Sequence, residues 1–361
     1  MLVRPDAEDF RTISYYLGRV LQVTAGFLCL PLAWALIGRE WGPASSFVLT
    51  AGAFALAGAL AAWRAPREPR LDWSHGMVVA ALAWLIVPAL GSLPLALSGH
   101  FANPLDAWFD AMSGLTTTGL SLLQDLDHLA SSLNFWRHLL HFMGGQGVVL
   151  AAVAVFAGGV GLSLFYGEAR EERFLPSVGS TGRFIWWASM VHLLFGVVVL
   201  GSVAYFALGF TPARSFFHGL LVFFAGFDTG GFAPQITSVG YYHSAVFEAA
   251  TAVFMLAGAM SFGLHFALWH GPRRFRSLRN VETRTLAFTL LLTGVLAFLG
   301  LATLGLYRTV PSLARQGLFH ALSAHTGTGF ATVPASELAR WGGLAFAGVT
   351  LAMALGGMAS S

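Results

Sequence analysis

The chain has 361 residues, of which 56% are hydrophobic and only 10% are charged, and its mean hydropathy is +0.69. Soluble domains carry about 25% charged residues, so a water-soluble globule of this length is excluded, and so is a disordered chain. The formal net charge is +3, from 20 basic residues that are all arginine and 17 acidic residues. Composition therefore predicts an integral membrane protein with several spans.

Apolar stretches long enough to cross a bilayer, which takes about 20 residues, recur along the whole chain. Eight spans are predicted, near residues 17–37, 45–63, 75–97, 136–165, 184–209, 244–269, 286–307 and 339–355. Fourteen arginines lie in the N-terminal segment and in three short loops, at 64–70, 167–183 and 270–284. The positive-inside rule then predicts that the N-terminus and these loops are cytoplasmic, and that the Gly-rich loops between them face outside.

The outward loops contain an internal repeat. Residues 109–119 read FDAMSGLTTTG and residues 319–329 read FHALSAHTGTG, with Phe, Ala, Ser, Thr, Thr and Gly coinciding without a gap. Residues 217–231 read FHGLLVFFAGFDTGG, which shares the Phe and Gly ends but is four residues longer. Each segment is too short to cross a bilayer and too apolar for a free loop, which predicts a re-entrant pore helix followed by extended backbone.

The repeat unit is span, re-entrant segment, span, and it divides the chain into four parts. They are an N-terminal helix pair at 1–70, a first unit at 71–183, a second unit at 184–285 and a third unit at 286–361, incomplete at its second span. The predicted fold is an all-α membrane protein with roughly eight transmembrane helices and three re-entrant pore-helix segments.

The Thr/Gly end of each re-entrant segment is suited to binding a dehydrated monovalent cation. Backbone carbonyls can replace the water shell of such an ion, Gly permits the φ/ψ values that aim them at one axis, and Thr hydroxyls add oxygens. The C-terminal ends of the preceding short helices would add a favourable field. The candidate selectivity-filter residues are Thr116, Thr117, Thr118, Gly119, Asp228, Thr229, Gly230, Gly231, Thr326, Gly327, Thr328 and Gly329.

Several carboxylates near these segments have predicted roles. Asp228 adjoins the second segment, and we expect its side chain to brace that segment through hydrogen bonds without coordinating the ion. Glu248, in the following span, could pair with a neighbouring helix. The outer carboxylates, which could concentrate cations at a pore mouth or act as helix caps, are Asp106, Asp110, Asp125, Asp127 and Glu337.

With these segments, the chain resembles the Trk/Ktr/HKT superfamily of potassium transporters, specifically the TrkH-type pore-forming subunit. Further matches to the family are FWRHLLHFMGGQGVVLAAVAVFAGGVG at 135–161, MSFGLHFALWHG at 260–271 and LGGMASS at 355–361. The resemblance implies four covalently linked units around one pore, each with a filter strand, and a gating loop that starts at Gly356 and Gly357. Gly in the first filter is associated with potassium and Ser with sodium, so Gly119 implies that the transported ion is K+.

The resemblance also implies partners and a location. The protein would lie in the bacterial cytoplasmic (inner) membrane among lipid, form a homodimer, and dock a cytoplasmic nucleotide-binding regulatory subunit. K+ would be its transported ion, with no other cofactor. Three departures from the family pattern are the longer second segment, GGQG at 144–147 in place of GGMG, and the end of the chain at Ser361. We expect from the last that the chain is C-terminally truncated and lacks the fourth unit.

Two other functions stay open. The Gly-interrupted segments could be broken helices at the substrate site of a secondary ion-coupled transporter, although these repeats run in the same orientation. His138 and His141 are three residues apart on one predicted helix face, so a His-ligated redox membrane protein is a weaker alternative. The sequence contains no nucleophile–base arrangement or phosphate loop, which predicts that the protein is not an enzyme, and its arginines suit membrane topology better than a nucleic-acid partner.

Overall fold

The fold is described from a computed structural model, over residues 6–63, 72–147, 178–271 and 279–359. Regular secondary structure in these ranges is helical, as the all-α prediction requires. In chain order the α-helices are α1 (Ala7–Phe27), α2 (Cys29–Ile37), α3 (Trp41–Ala62), α4 (Trp73–Gly91), α5 (Leu93–Ala96), α6 (Pro104–Leu115), α7 (Ser131–Gly145), α8 (Val178–Leu208), α9 (Pro212–Phe227), α10 (Ala245–Gly258), α11 (Phe262–His270), α12 (Val281–Leu304), α13 (Val310–His325), α14 (Ala335–Leu338) and α15 (Gly343–Ala359). We call α6, α9 and α13 the first, second and third pore helices.

Five helices in the described ranges are long and apolar enough to cross a membrane, and a bent pair gives a sixth. The five are Ala7–Ile37, Trp41–Ala62, Ser74–Ala96, Gly182–Leu208 and Val281–Leu304. They overlap five of the eight predicted spans, as expected for an integral membrane protein. A shorter apolar helix at Gly343–Gly356 overlaps the last predicted span. The span predicted at 136–165 lies outside the described residues beyond residue 147.

The span predicted at 244–269 is broken in its middle. Its two halves, α10 and α11, are bent by 97° across a short break. The Ser261 side chain accepts a hydrogen bond from the Leu264 backbone N–H. At the end of α10, the Ala257 carbonyl oxygen accepts from the Met260 backbone N–H at 3.3 Å, and His265 Nε2 lies 2.9 Å from the same oxygen. Hydropathy is continuous through the break, so the apolar pattern predicts the span but not its bend.

Contacts between Cα atoms divide the chain into two compact units. The first unit consists of Met1–Thr116 and Leu120–Trp186, and the second consists of Thr117–Gly119 and Trp187–Ser361. We call residues 116–119, 228–231 and 326–329 the first, second and third Thr/Gly segments. Three of the four residues in the first Thr/Gly segment therefore group with the second unit. The predicted division into an N-terminal helix pair and three repeat units stays a prediction.

In the first unit, α1 and α3 pack through a pair of glycines. A Cβ atom built on Gly18 would lie 2.6 Å from the Gly58 carbonyl oxygen, and one built on Gly58 would lie 2.8 Å from the Gly18 carbonyl oxygen. Small residues allow such close backbone approach between apolar helices. At one end of this unit, His75 Nε2 lies 2.8 Å from Asp9 Oδ1, which links the starts of α4 and α1.

In the second unit, the third pore helix packs against α12 and α15. Close backbone approaches hold α12 against α15: a Cβ atom built on Gly300 would lie 2.0 Å from the Ala345 backbone nitrogen, and one built on Gly348 would lie 2.7 Å from the Ala297 nitrogen. The buried hydrophobic residues of this cluster are Leu301, Leu313, Val333, Trp341 and Ala345. Leu313 lies near the start of the third pore helix, so this tight packing holds that part of the helix in place.

Candidate ion-binding site

The three pore helices end in the same way, one residue before their Thr/Gly segments. The capping residues Thr116, Asp228 and Thr326 each donate their backbone N–H to a carbonyl four residues earlier, at 2.8, 3.1 and 2.9 Å. Each helix also has a proline in its first turn, where no intrahelical N–H bond is lost. Because the helix ends are equivalent, the three Thr/Gly segments can be aligned residue by residue, starting from Thr116, Asp228 and Thr326.

This alignment explains the longer second segment. The second and third pore helices both have 16 residues, and the first has 12. Counted back from the Thr/Gly segment, Phe217 lies one helical turn earlier than Phe109 or Phe319. The sequence alignment on this phenylalanine is therefore not the structural one. Aligned on the Thr/Gly segments, the second and third pore helices have equal lengths, and the second repeat has no insertion between its pore helix and its segment.

The Thr/Gly segments share one backbone conformation. Their first residues have negative φ, and their second residues, Thr117, Thr229 and Gly327, have φ of 52°, 51° and 75°. The third residues, Thr118, Gly230 and Thr328, do not have positive φ. The fourth residues are again positive, with φ of 78° at Gly119, 74° at Gly231 and 81° at Gly329. Glycine adopts such values without the strain that other residues incur.

The segments lie side by side within the second unit. A Cβ atom built on Gly119 would lie 2.0 Å from the Gly230 carbonyl oxygen, and one built on Gly231 would lie 1.9 Å from the Thr328 carbonyl oxygen. The fourth residue of each of these segments therefore contacts the third residue of the next one. At Gly329, the corresponding position of the third segment, no atom lies within 4 Å of the ideal Cβ.

Local hydrogen bonds hold the second and third segments in shape. The backbone N–H groups of Gly230 and Gly231 both donate to the Ala225 carbonyl oxygen, at 2.9 and 3.1 Å. In the third segment, the hydroxyl oxygens of Thr326 and Thr328 are 2.8 Å apart and buried. The segments are thus anchored through N–H and hydroxyl groups.

Two of the threonine hydroxyls point back to their pore helices. Thr116 Oγ1 donates to the Met112 carbonyl oxygen at 2.8 Å, and Thr326 Oγ1 donates to the Leu322 carbonyl oxygen at 3.0 Å. These hydroxyl protons therefore cap the helix ends. Asp228 occupies the equivalent position in the second segment and is buried, and its expected bracing role stays a prediction.

A buried ion pair lies behind the first segment, and the sequence analysis missed it. Asp110 and Arg137 are 0% and 1% exposed, and Arg137 Nε lies 2.7 Å from Asp110 Oδ2. Ser121, two residues after Gly119, donates to Asp110 Oδ1 at 2.5 Å and accepts from Arg137 NH2 at 3.0 Å. The expectation that Asp110 is a mouth charge or a cap is therefore wrong: it joins the first pore helix, α7 and the chain that leaves the segment.

A second ion pair links two repeats within the second unit. Arg315 of the third pore helix donates from Nε and NH2 to both carboxylate oxygens of Glu248 on α10, each at 2.6 Å. The Glu248 side chain is 3% exposed and that of Arg315 is 36% exposed. The prediction that Glu248 pairs with a neighbouring helix is confirmed. Two parallel N–H···O bonds fix orientation as well as distance, so this pair also positions the third pore helix.

The remaining outer carboxylates have local partners. The Asp106 carboxylate accepts a hydrogen bond from the Asn103 side-chain amide at 2.9 Å at the start of the first pore helix, and Glu337 accepts a hydrogen bond from the Tyr307 hydroxyl at 2.5 Å. Asp125 lies 2.7 Å from His128 in the exposed loop after the first segment. That hydrogen bond lowers the pKa of Asp125 and raises the pKa of His128.

The two histidines on α7 contact backbone carbonyl oxygens. His138 Nδ1 lies 2.8 Å from the Asn134 carbonyl oxygen, and His141 Nδ1 lies 2.8 Å from the Gly114 carbonyl oxygen. The Nδ1 atom of each of these two rings therefore donates to a backbone carbonyl oxygen. Among the residues that the structure describes, there is no group of three or more His, Cys, Asp or Glu side chains arranged to hold a metal ion.

Comparison with known proteins gives one consistent result. A family model described as TrkH, cation transport protein, matches residues 44–361. An uncharacterized cation transporter of Methanocaldococcus jannaschii is 29% identical over 339 residues, which are 93% of this chain and 66% of that protein. The Trk system potassium uptake protein TrkH of Halomonas elongata is 30% identical over 344 residues, 93% of this chain and 68% of that protein.

A solved structure is also similar. The crystal structure of the potassium transporter TrkH from Vibrio parahaemolyticus has a TM-score of 0.76 and 26% identity to this chain, and the match covers 92% of this chain and 67% of that one. The chain thus spans about two thirds of the length of the relatives it matches. The matched region includes all three pore helices and Thr/Gly segments. The chain therefore belongs to the TrkH family of cation transport proteins.

Proposed function

We propose that the chain is the pore-forming part of a potassium uptake system and that K+ passes through a filter made by the three Thr/Gly segments. One observation carries the proposal: three segments of different sequence share one alternating backbone conformation and contact one another in order, the first against the second and the second against the third. Ordinary helix packing by small residues would not require this shared conformation. The relatives from Halomonas elongata and Vibrio parahaemolyticus are named for potassium, which supports the choice of ion.

The chemistry follows from this backbone. Alternating negative and positive φ turns successive peptide groups so that their carbonyls can face one axis, as replacement of a hydration shell requires. The N–H groups of Gly230, Gly231 and Gly329 and the hydroxyls of Thr116 and Thr326 bond back to the protein, so carbonyl oxygens are the candidate ligands. The pore helices end at the segments, and their C-terminal dipole ends favour a cation there.

Selectivity for K+ over Na+ rests on Gly119. Its missing side chain lets the Gly230 carbonyl oxygen approach to a position only 2.0 Å from where a Cβ would be. A larger residue would displace that carbonyl and change the distance between opposing oxygens. This supports the family association of glycine at this position with potassium.

The wider assembly is also a proposal. By family resemblance, the protein would lie in the bacterial inner membrane, form a homodimer and dock a cytoplasmic nucleotide-binding regulatory subunit. The fourteen arginines on one side support a cytoplasmic N-terminus. The open edge at Gly329 would receive a fourth strand in the four-unit arrangement that the family implies. Gly356 and Gly357 remain the proposed start of the gating loop, and Gly356 lies within α15.

The test is ion uptake by the product of the complete open reading frame in bacterial cells that lack their own K+ uptake systems. We expect growth at low external K+ and saturable uptake of Rb+, a K+ analogue, that K+ inhibits more strongly than Na+ does. Uptake that requires a co-transported ion in fixed ratio would favour a secondary transporter. Absence of K+-inhibited Rb+ uptake, with the protein present in the membrane, would overturn the proposal.

A further inference from the structure

Each pore helix ends against a glycine in the helix that follows its Thr/Gly segment. The contact is made by the carbonyl oxygen of the last helical residue, the one directly before the segment. The distances from the ideal Cβ position of the glycine to that oxygen are 1.6 Å for Gly144 and Leu115, 1.7 Å for Gly258 and Phe227, and 1.7 Å for Gly356 and His325. We call Gly144, Gly258 and Gly356 the seat glycines.

No side chain can replace the hydrogen at a seat glycine without moving the pore helix. Real Cβ atoms essentially never approach another heavy atom closer than 3.0 Å, so an alanine at Gly144 would push the Leu115 carbonyl back by more than 1 Å. The carbonyl belongs to the peptide group that joins Leu115 to Thr116. Its displacement is therefore passed directly to the first residue of the Thr/Gly segment.

Neighbouring residues on the same helix face reinforce the contact. His141, three residues before Gly144, lies with Nδ1 2.8 Å from the carbonyl oxygen of Gly114, the penultimate residue of the first pore helix. Residues three apart share a helix face, so α7 contacts both of the last two carbonyls. The second repeat has a contact at the same positions. Met255, three residues before Gly258, has its Cγ 3.8 Å from the ideal Cβ position of Gly226, the penultimate residue of the second pore helix.

The contact is common to repeats that otherwise differ. The following helix ends at Gly258 before a 97° bend in the second repeat, whereas Gly356 lies inside α15 in the third. The last residues of the three pore helices are Leu, Phe and His. All three repeats retain a glycine packed against the last carbonyl oxygen of the pore helix. This indicates that the contact controls the backbone position of the helix end.

We infer that the seat glycines are positioning residues for the filter: they set how far each pore-helix end reaches and thereby the ion selectivity, although none of them belongs to a Thr/Gly segment. The inference rests on the proposed function, because it assigns the seats an effect on selectivity.

The test compares alanine substitutions at glycines with and without this contact. Gly144→Ala, Gly258→Ala and Gly356→Ala are made singly in the complete open reading frame, with Gly52→Ala as the control, since Gly52 lies in α3 with no atom within 4 Å of its ideal Cβ. The readout is the ratio of Rb+ to Na+ uptake, which does not depend on protein amount. We expect the ratio to fall at least about tenfold in the seat variants, since a misplacement of 1 Å can cost up to about a hundredfold in preorganised sites. The control should keep the wild-type ratio.

Unchanged ratios in the seat variants would overturn the inference. If the seat variants do not reach the membrane, His141→Ala and His141→Gln decide, because neither adds atoms to the seat. A ratio lowered in His141→Ala and restored in His141→Gln, whose amide can donate to the Gly114 carbonyl, supports the inference, and an unchanged ratio in His141→Ala overturns it. A wild-type protein without K+-inhibited Rb+ uptake would instead refute the proposed function.

Discussion

Replacement of Gly119 by serine places a side chain directly against the neighbouring segment. The new Cβ would lie 2.0 Å from the Gly230 carbonyl oxygen, so one of the two segments must move by about 1 Å to reach the 3.0 Å that real Cβ contacts observe. The φ of 78° at this position adds a strain of about 1–2 kcal/mol for a residue with a Cβ. Protein ligand distances that separate Mg²⁺ from Ca²⁺ differ by only about 0.3–0.5 Å, so a 1 Å shift is large on the scale of ion selection.

We therefore expect Gly119→Ser to lower the ratio of Rb+ to Na+ uptake by at least about tenfold, since a 1 Å misplacement can cost up to about a hundredfold, while the protein still reaches the membrane. The assay is uptake of both ions in cells without other K+ uptake systems, at equal amounts of protein in the membrane fraction.

Gly327→Ser is the matched control for this variant. Its φ of 75° imposes similar strain, but no atom lies within 4 Å of its ideal Cβ, and the equivalent positions in the other segments hold threonines. Selectivity should change little in the control, because strain without crowding leaves the carbonyls in place. An unchanged ratio in Gly119→Ser, or an equal loss in Gly327→Ser, would show that the contact with Gly230 does not set selectivity.

Three further substitutions test the contacts around the segments. Arg137→Gln leaves Asp110 buried without its counter-charge, so it should lower the free energy of unfolding by about 3–5 kcal/mol. The loss should be visible as a lower thermal unfolding midpoint in detergent. Adding Asp110→Asn to this variant should recover part of the loss. Arg315→Gln should lower the same midpoint less, because this arginine is 36% exposed, and a larger loss than in Arg137→Gln would contradict the burial argument. Thr328→Val removes a buried hydroxyl contact and should cost about 1 kcal/mol in thermal unfolding with the uptake ratio retained, whereas a changed ratio would make the hydroxyl an ion ligand.

The Thr/Gly segments could be located from the sequence because their composition serves a local requirement. Positive φ is needed at Gly119, Gly231 and Gly329, and glycine meets that need most readily. The same requirement recurs in each repeat, so it is visible as a repeated motif. Their conformations are then set by residues within the motif itself, including the Ala225 carbonyl six residues before Gly231.

The ion pair of Asp110 and Arg137 could not be predicted in this way. The two residues are 27 positions apart on different helices, and no spacing rule connects them. Each has an ordinary alternative, a helix cap for the carboxylate and a topological charge for the arginine. One signal was present: an arginine just inside a predicted apolar span has to find a partner, and only a carboxylate on a facing helix could supply it.

The seat glycines could not be recognised in the sequence because glycine is so frequent in this chain. The chain contains 42 glycines, and most of those in helices allow helix packing or have open space beside them. Gly144 and Gly356 lie in GG pairs that resemble the family pattern, but the sequence does not tell which atom each one faces. Close approach of two backbones is a property of tertiary packing, so it emerges only from the structure.

The most direct measurement is the anomalous scattering of Rb+ in crystals of the complete protein. If the Thr/Gly segments form the filter, anomalous peaks will lie at direct coordination distance from carbonyl oxygens of Thr116–Thr118, of Asp228–Gly230 and of Thr326–Thr328, on an axis that all three segments face. Peaks found only elsewhere, at Rb+ concentrations that saturate uptake, would contradict the assignment of these segments as the ion path.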